Sequence, residues 1–228
     1  MPSVLFVLTS ADKTVTGKPA GWYLPEAAHP YYLINPHYNV EFASPKGGDA
    51  PIDKSSIDAF SNDEESVKFL KDPVVKSKIE HTKKLSEVNV DEYDAIFYVG
   101  GHGPVMDLPT DPDNIKLVSQ FWTSGKIVSA VCHGPAALVG GVDGSGKSIF
   151  AGKNTTGFSN EEESLFGTVE EVPFSLEDKI VELGGNFLKS DKAYGVKVVV
   201  DGQLITGANP ASAGPVAEAL LKVLQSRD

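Results

Sequence analysis

The stretch KIVSAVCHGPAALVG, Lys126 to Gly140, contains the one cysteine of the chain, followed directly by a histidine. Its first half, KIVSAVC, is a short β-branched apolar run, the pattern of a strand buried on both faces of a parallel sheet. Its second half, HGPAALVG, turns away through Gly134 and Pro135 into a helix. Where a parallel strand passes sharply into a helix, one side chain is lifted clear of the sheet, and small residues must surround it. Ala130 two residues before Cys132 and Gly134 two after it meet that demand. The ordinary reading of a lone cysteine is a small core hydrophobe. Against it stands this position: carboxyl ends of parallel strands are where α/β proteins bind ligands, and a helix N-terminus beneath the turn would favour thiolate.

Working outward, SVLFVLTS (Ser3 to Ser10), YNVEFAS (Tyr38 to Ser44) and YDAIFYVGG (Tyr93 to Gly101) read as further buried strands. DNIKLVSQFWTSG reads as an amphipathic helix stopped at Gly125, and FSLEDKIVELGG and ASAGPVAEALLKVLQS as two more. KNTTGF suggests a short strand, and NEEESLFG a short helix with an Asn cap and an acidic first turn. VKVVVDGQLITGANP places two apolar runs around Asp201-Gly202, a strong hairpin signal. Residues 55–90 are charged at helical spacing and predict two or three surface helices, an insertion over one side of the sheet whose charges form a solvated face. Strands alternating with helices imply an α/β fold with a mainly parallel sheet sandwiched by helices. No repeat or linker divides it, so residues 1–228 are expected to form one domain.

The chain of 228 residues is 41% hydrophobic and 22% charged, with a formal net charge of -11. That charge argues against nucleic acid or an anionic membrane surface as partner, since both select clustered Lys and Arg. One cysteine cannot form an internal disulfide. MPSVLFVLTSADK has no basic region before its apolar run and no cleavage-like site after it, so the expected location is the cytoplasm, with the nucleus as alternative. NTT at Asn154 matches a glycosylation pattern and, in that location, reads as chance. GVDGSGKS (Gly141 to Ser148) matches the phosphate-loop pattern letter for letter, but a helix precedes it and no helical pattern follows. It reads as a polar loop joining helix to strand.

A nucleophilic cysteine needs a base. The histidines are His29, His37, His81, His102 and His133, and none follows His133. His133 is the better candidate, because adjacent residues at such a turn can both face one pocket; a capping or packing histidine is the plain alternative. His102, in VGGHGP at the end of the preceding strand, is the other. Cys132, His133 and His102 lack the spaced ligand pairs of a metal site, so no metal is expected.

AVCHGP, with GGHG upstream and TGANPAS downstream, resembles the PfpI-like superfamily of flavodoxin-like, class I amidotransferase-like domains. GWYLPEAAHPYY, TTGFSNEEE and the helical insertion extend the similarity over essentially the whole chain. They resemble its fungal branch of glutathione-independent glyoxalases, also described as heat-shock chaperones. The resemblance implies Cys132 as nucleophile, His133 as its catalytic histidine and Glu163 as the acidic third member, with Glu161 and Glu162 as neighbouring alternatives. Glu26 matches the glutamate that hydrogen-bonds the cysteine sulfur, and Gly101 and His102 fall where oxyanion-binding backbone lies. The implied activity is that of a lyase (hydro-lyase) of the D-lactate dehydratase or glyoxalase III type, without cofactor. It would act on a small 2-oxoaldehyde, in a stress response, as a homodimer. A cysteine hydrolase (peptidase or deglycase) at the same site and a holdase chaperone are the rival classes.

Overall fold

A computed structural model describes residues 2–227. In chain order the elements begin with β1 (Ser3–Val7), α1 (Leu24–Ile34) and β2 (Asn39–Ser44). Next come α2 (Lys54–Ala59), α3 (Glu64–Lys71), α4 (Pro73–Glu80), β3 (Lys83–Lys84), β4 (Ala95–Tyr98), α5 (Gly103–Asp107) and α6 (Pro112–Thr123). After β5 (Ile127–Val131) follow β6 (Asn154–Thr155), α7 (Asn160–Phe166), α8 (Leu176–Glu182), β7 (Asn186–Phe187), β8 (Val198–Asp201), β9 (Leu204–Gly207) and α9 (Ala213–Gln225).

The main sheet has the order β3-β2-β1-β4-β5-β9-β8, parallel throughout except that β8 runs antiparallel to β9. Alternation along β1 feeds two cores. Val4, Phe6 and Leu8 join α1 and α9 on one face, while Leu5 and Val7 join Tyr98, Leu117 and Phe121 on the other, all buried. A strand buried on both faces must read as a continuous apolar run, and β1, β4 and β5 do. The chain reverses direction between β1 and β4, so the loops at their carboxyl ends diverge and leave a crevice.

Residues 55–90 do form helices. Asp53, Asp63 and Asp72 cap α2, α3 and α4 through backbone N–H groups of their first turns, as Asp does well. Phe69 of α3 is fully buried, 5.6 Å from the Tyr31 ring and 6.1 Å from that of Trp22, and pins the insertion to α1. The same region also holds β3, which lengthens the sheet beyond the helices expected there.

Three local expectations are corrected. The turn after Cys132 enters only a 3-10 helix, Gly134–Leu138, instead of an α-helix. Within it the Ala137 carbonyl accepts from Asn114 Nδ2 at 2.8 Å, so a side chain of α6 takes an acceptor that a longer α-helix would use. The cap of α7 is Ser159, not Asn160, and it forms a capping box with Glu162. The hairpin turns at Gly202-Gln203, with Gly202 at φ 65°, since Asp201 pairs with Leu204. In the Gly141–Ser148 loop, Asp143 Oδ1 accepts from the N–H groups of Ser145 at 2.8 Å and Lys147 at 3.0 Å, and the next regular element is β6. The amides a phosphate would require thus face a carboxylate of the chain itself. Among the described residues no helix is long and apolar enough to cross a membrane.

Candidate active site

The crevice is built from three turns. The first is the Gly100-Gly101 pair after β4. Gly101 has φ 104°, and a Cβ there would lie 2.5 Å from the carbonyl oxygen of Gly21. Only glycine allows both, so the segment 21–23 packs directly on the turn, with Tyr23 N–H donating to Gly100 O at 3.0 Å. That seats the start of α1, and with it Glu26, beneath the crevice. The Glu26 carboxyl is fully buried and faces Cys132 and the Gly100 backbone. Burial, the dominant cause, raises its pKa from 4.5 to about 8, although contacts with Cys132 and the Gly100 backbone lower it. A carboxyl so placed holds its proton at neutral pH.

The second turn carries Cys132. Its φ of 60° lies in the left-handed region, its N–H donates to Gly207 O at 2.9 Å, and its carbonyl accepts from Phe158 at 2.8 Å. Gly134 is needed two residues on, because a Cβ there would meet the Tyr98 carbonyl oxygen at 2.5 Å. The thiol is only 4% exposed. Burial and the neighbouring Glu26 push its pKa up, against the His133 N–H that favours thiolate. The expectation of a thiol freed by a helix N-terminus therefore gives way to one whose ionisation is shared with the Glu26 proton.

The third turn is α7. Glu163 Oε2 lies 2.5 Å from His133 Nε2, Glu163 Oε1 lies 2.9 Å from His102 Nε2, and Thr168 Oγ1 donates to Oε1 at 2.5 Å. Glu162 instead turns toward Asn209 and the Tyr194 backbone, and Glu161 is exposed. Burial pushes Glu163 up, but the two histidines and Thr168 outweigh it and hold the carboxyl well below the usual range. Burial and then His102 push His133 down, against Glu163. The consistent state is an ionised Glu163 accepting from Nε2–H of a neutral His133, which leaves Nδ1 as acceptor facing the Cys132 sulfur at 3.5 Å.

The structure thus brings Cys132, His133, Glu163, Glu26, Gly101 and His102 to one crevice. His102 lies there through its side chain on Glu163, a contact beyond the backbone position expected of it. Among the described residues, His102, His133 and Glu163 are the grouping whose donor atoms, within 4.8 Å of one another, could hold an ion. Both histidine Nε2 atoms hydrogen-bond to Glu163. Sequence reasoning did not find Thr168, Tyr23, Phe166 or Tyr194. Tyr23, His102, Phe158, Phe166, Tyr194 and Pro210 line a chamber of about 140 Å³ at the site. Phe158 and His102 hold the His133 ring between them, at 4.5 and 4.4 Å.

Gly100→Ala is expected to destabilise the fold by about 3 kcal/mol, because its Cβ would stand 2.3 Å from Glu26 Oε2 and 2.5 Å from Val131 O. Urea unfolding measures this; an unchanged midpoint would show that the turn can yield.

A family model described as "DJ-1/PfpI family" matches residues 33–223. The Saccharomyces cerevisiae protein named glutathione-independent glyoxalase HSP31 is 30% identical over 98% of both chains. A structure of the Francisella tularensis Rapid Encystment Protein superposes with a TM-score of 0.92 at 37% identity, covering 98% of this chain and 99% of that one. The crystal structure of glyoxalase III from Candida albicans gives a TM-score of 0.89 at 28% identity, covering 97% and 96%.

Proposed function

This chain belongs to the DJ-1/PfpI family, and on that premise we propose that it is a glutathione-independent glyoxalase converting methylglyoxal and water to lactate. The observation that carries the reading is the relay at the Cys132 turn. Sulfur faces His133 Nδ1 at 3.5 Å, and Nε2 of the same ring meets Glu163 at 2.5 Å. Relatives named as glyoxalases support it.

In this mechanism the Cys132 thiol, held by the Glu26 carboxyl, adds to the aldehyde: sulfur bonds to the carbon as the C=O π bond opens, and the thiol proton ends on the oxygen of the resulting hemithioacetal. The N–H groups of Gly101 and His133 face the developing oxyanion. Neutral His133 takes the proton from that carbon, giving an enediol, and a proton returns to the neighbouring carbon. The first carbon is now a thioester and its neighbour an alcohol. Water releases lactate and restores the thiol. One carbon is oxidised as the other is reduced, so the balance closes within the substrate, as a lyase of the D-lactate dehydratase type requires. Glu163 stays ionised and stabilises His133 when it is protonated. A homodimer and a cytoplasmic place complete the proposal.

Lactate released from methylglyoxal without added glutathione tests the reading, with peptide cleavage and removal of glycated adducts assayed in parallel. Turnover of methylglyoxal is expected. Cleavage of peptides with no lactate formed would assign the same residues to a hydrolase.

A further inference from the structure

We infer that Tyr194 is the specificity-determining residue of the site, a wall that confines the reaction to small 2-oxoaldehydes and shuts off an apolar subsite suited to an aromatic substituent. The inference rests on the glyoxalase reading for its substrates. Two cavities meet at this residue. The chamber beside His102 and Phe158 has about 140 Å³, below the roughly 300 Å³ at which sites for drug-sized ligands begin. Next to it lies a groove of about 390 Å³, lined by Phe60, Pro210, Ala211 and Pro215 among others. Tyr194 and Pro210 line both.

The backbone shows that the ring is held there against local preference. Tyr194 has φ 61°, and Cys132 is the other non-glycine residue with positive φ among those described. It is the third residue of a turn closed by Gly195 N–H to Lys192 O at 3.0 Å, a position where glycine is the ordinary choice. Non-glycine residues kept in such geometry cluster at functional sites. Three contacts fix it. Its N–H donates to Glu162 Oε1 at 2.9 Å, its hydroxyl donates to Glu162 O at 3.2 Å, and its ring lies 6.3 Å from that of Phe158. Glu162 is buried and precedes the Glu163 that holds both histidines, so the wall and the acid of the relay are set by one turn of α7. On this inference a methyl substituent is accommodated in the small chamber, whereas a phenyl group extends into the groove.

The test compares kcat/KM for phenylglyoxal and methylglyoxal in the full chain and its variants. Tyr194→Gly removes the wall and suits the positive φ, so it is expected to fold. It should raise the phenylglyoxal-to-methylglyoxal ratio about tenfold or more, in the range that pocket contacts discriminate. Tyr194→Phe keeps the ring and should keep the wild-type ratio. A ratio for Tyr194→Gly within twofold of wild type overturns the proposal. Should methylglyoxal not be turned over at all, the glyoxalase reading falls while the wall is still tested by alkylation of Cys132. There, Tyr194→Gly is expected to speed N-benzyl iodoacetamide relative to iodoacetamide, and an unchanged relative rate overturns it.

Discussion

Cys132→Ala is expected to bring lactate formation to background, a loss of at least about 10³-fold, while the fold persists. Without sulfur no hemithioacetal forms, and the rest of the relay has nothing to act on, so removing the nucleophile alone costs about as much as removing the group. The fold should survive because alanine keeps a Cβ in the same left-handed geometry, and both backbone bonds of residue 132, to Gly207 and Phe158, are main-chain. Circular dichroism and a urea midpoint measured beside the lactate assay separate the outcomes. Full activity in this variant rejects the mechanism. Loss of activity together with loss of folding would mean that the cysteine is a core residue and no more.

Glu26→Gln is expected to remove a pH dependence of stability worth about 4–5 kcal/mol. The carboxyl titrates at about 8 in the folded chain against an ordinary 4.5. Between those values the native state keeps a proton that the unfolded chain gives up. Stability from this group is therefore complete below about pH 4.5 and declines as pH rises toward 8, by about 1.4 kcal/mol for each pH interval. Glutamine cannot ionise, so the decline should vanish from urea midpoints taken at pH 5 and pH 8. An equal decline in both proteins would place its origin elsewhere. Activity should fall by about 10²-fold, since the amide can donate to sulfur but cannot exchange a proton with it. Destabilisation at working pH is thus tied to the group that governs the thiol.

The sheet was readable wherever strands are buried on both faces, because burial leaves no freedom in their composition. Ile127–Val131 and Ala95–Tyr98 are cases. β3 was not readable, since Lys83-Lys84 carries no apolar pattern and becomes a strand through pairing with Ala43 and Ser44. The α-helix expected after Cys132 is a 3-10 turn in which Asn114, 23 residues before Ala137, claims the Ala137 carbonyl. The three consecutive glutamates could have been separated from local rules. Ser159 and Glu162 stand at capping-box spacing, which commits Glu162 to the helix start and leaves Glu163 free to reach the histidines. The place of Tyr194 had no such signal, since an aromatic at positive φ follows no periodicity.

The two margins of the main sheet differ in make and agree in effect. On one side β3 offers two residues only, both lysines, and Lys83 is tied back to Glu41 at 2.6 Å. On the other side β6 runs beside β8, and Asp201 is fastened by Lys153 at 3.0 Å and by the Asn154 N–H at 2.8 Å. Short, charged or covered edges resist the addition of a foreign strand. A backbone edged this way leaves a strand from another chain little to pair with, so the sheet ends where its own sequence ends it.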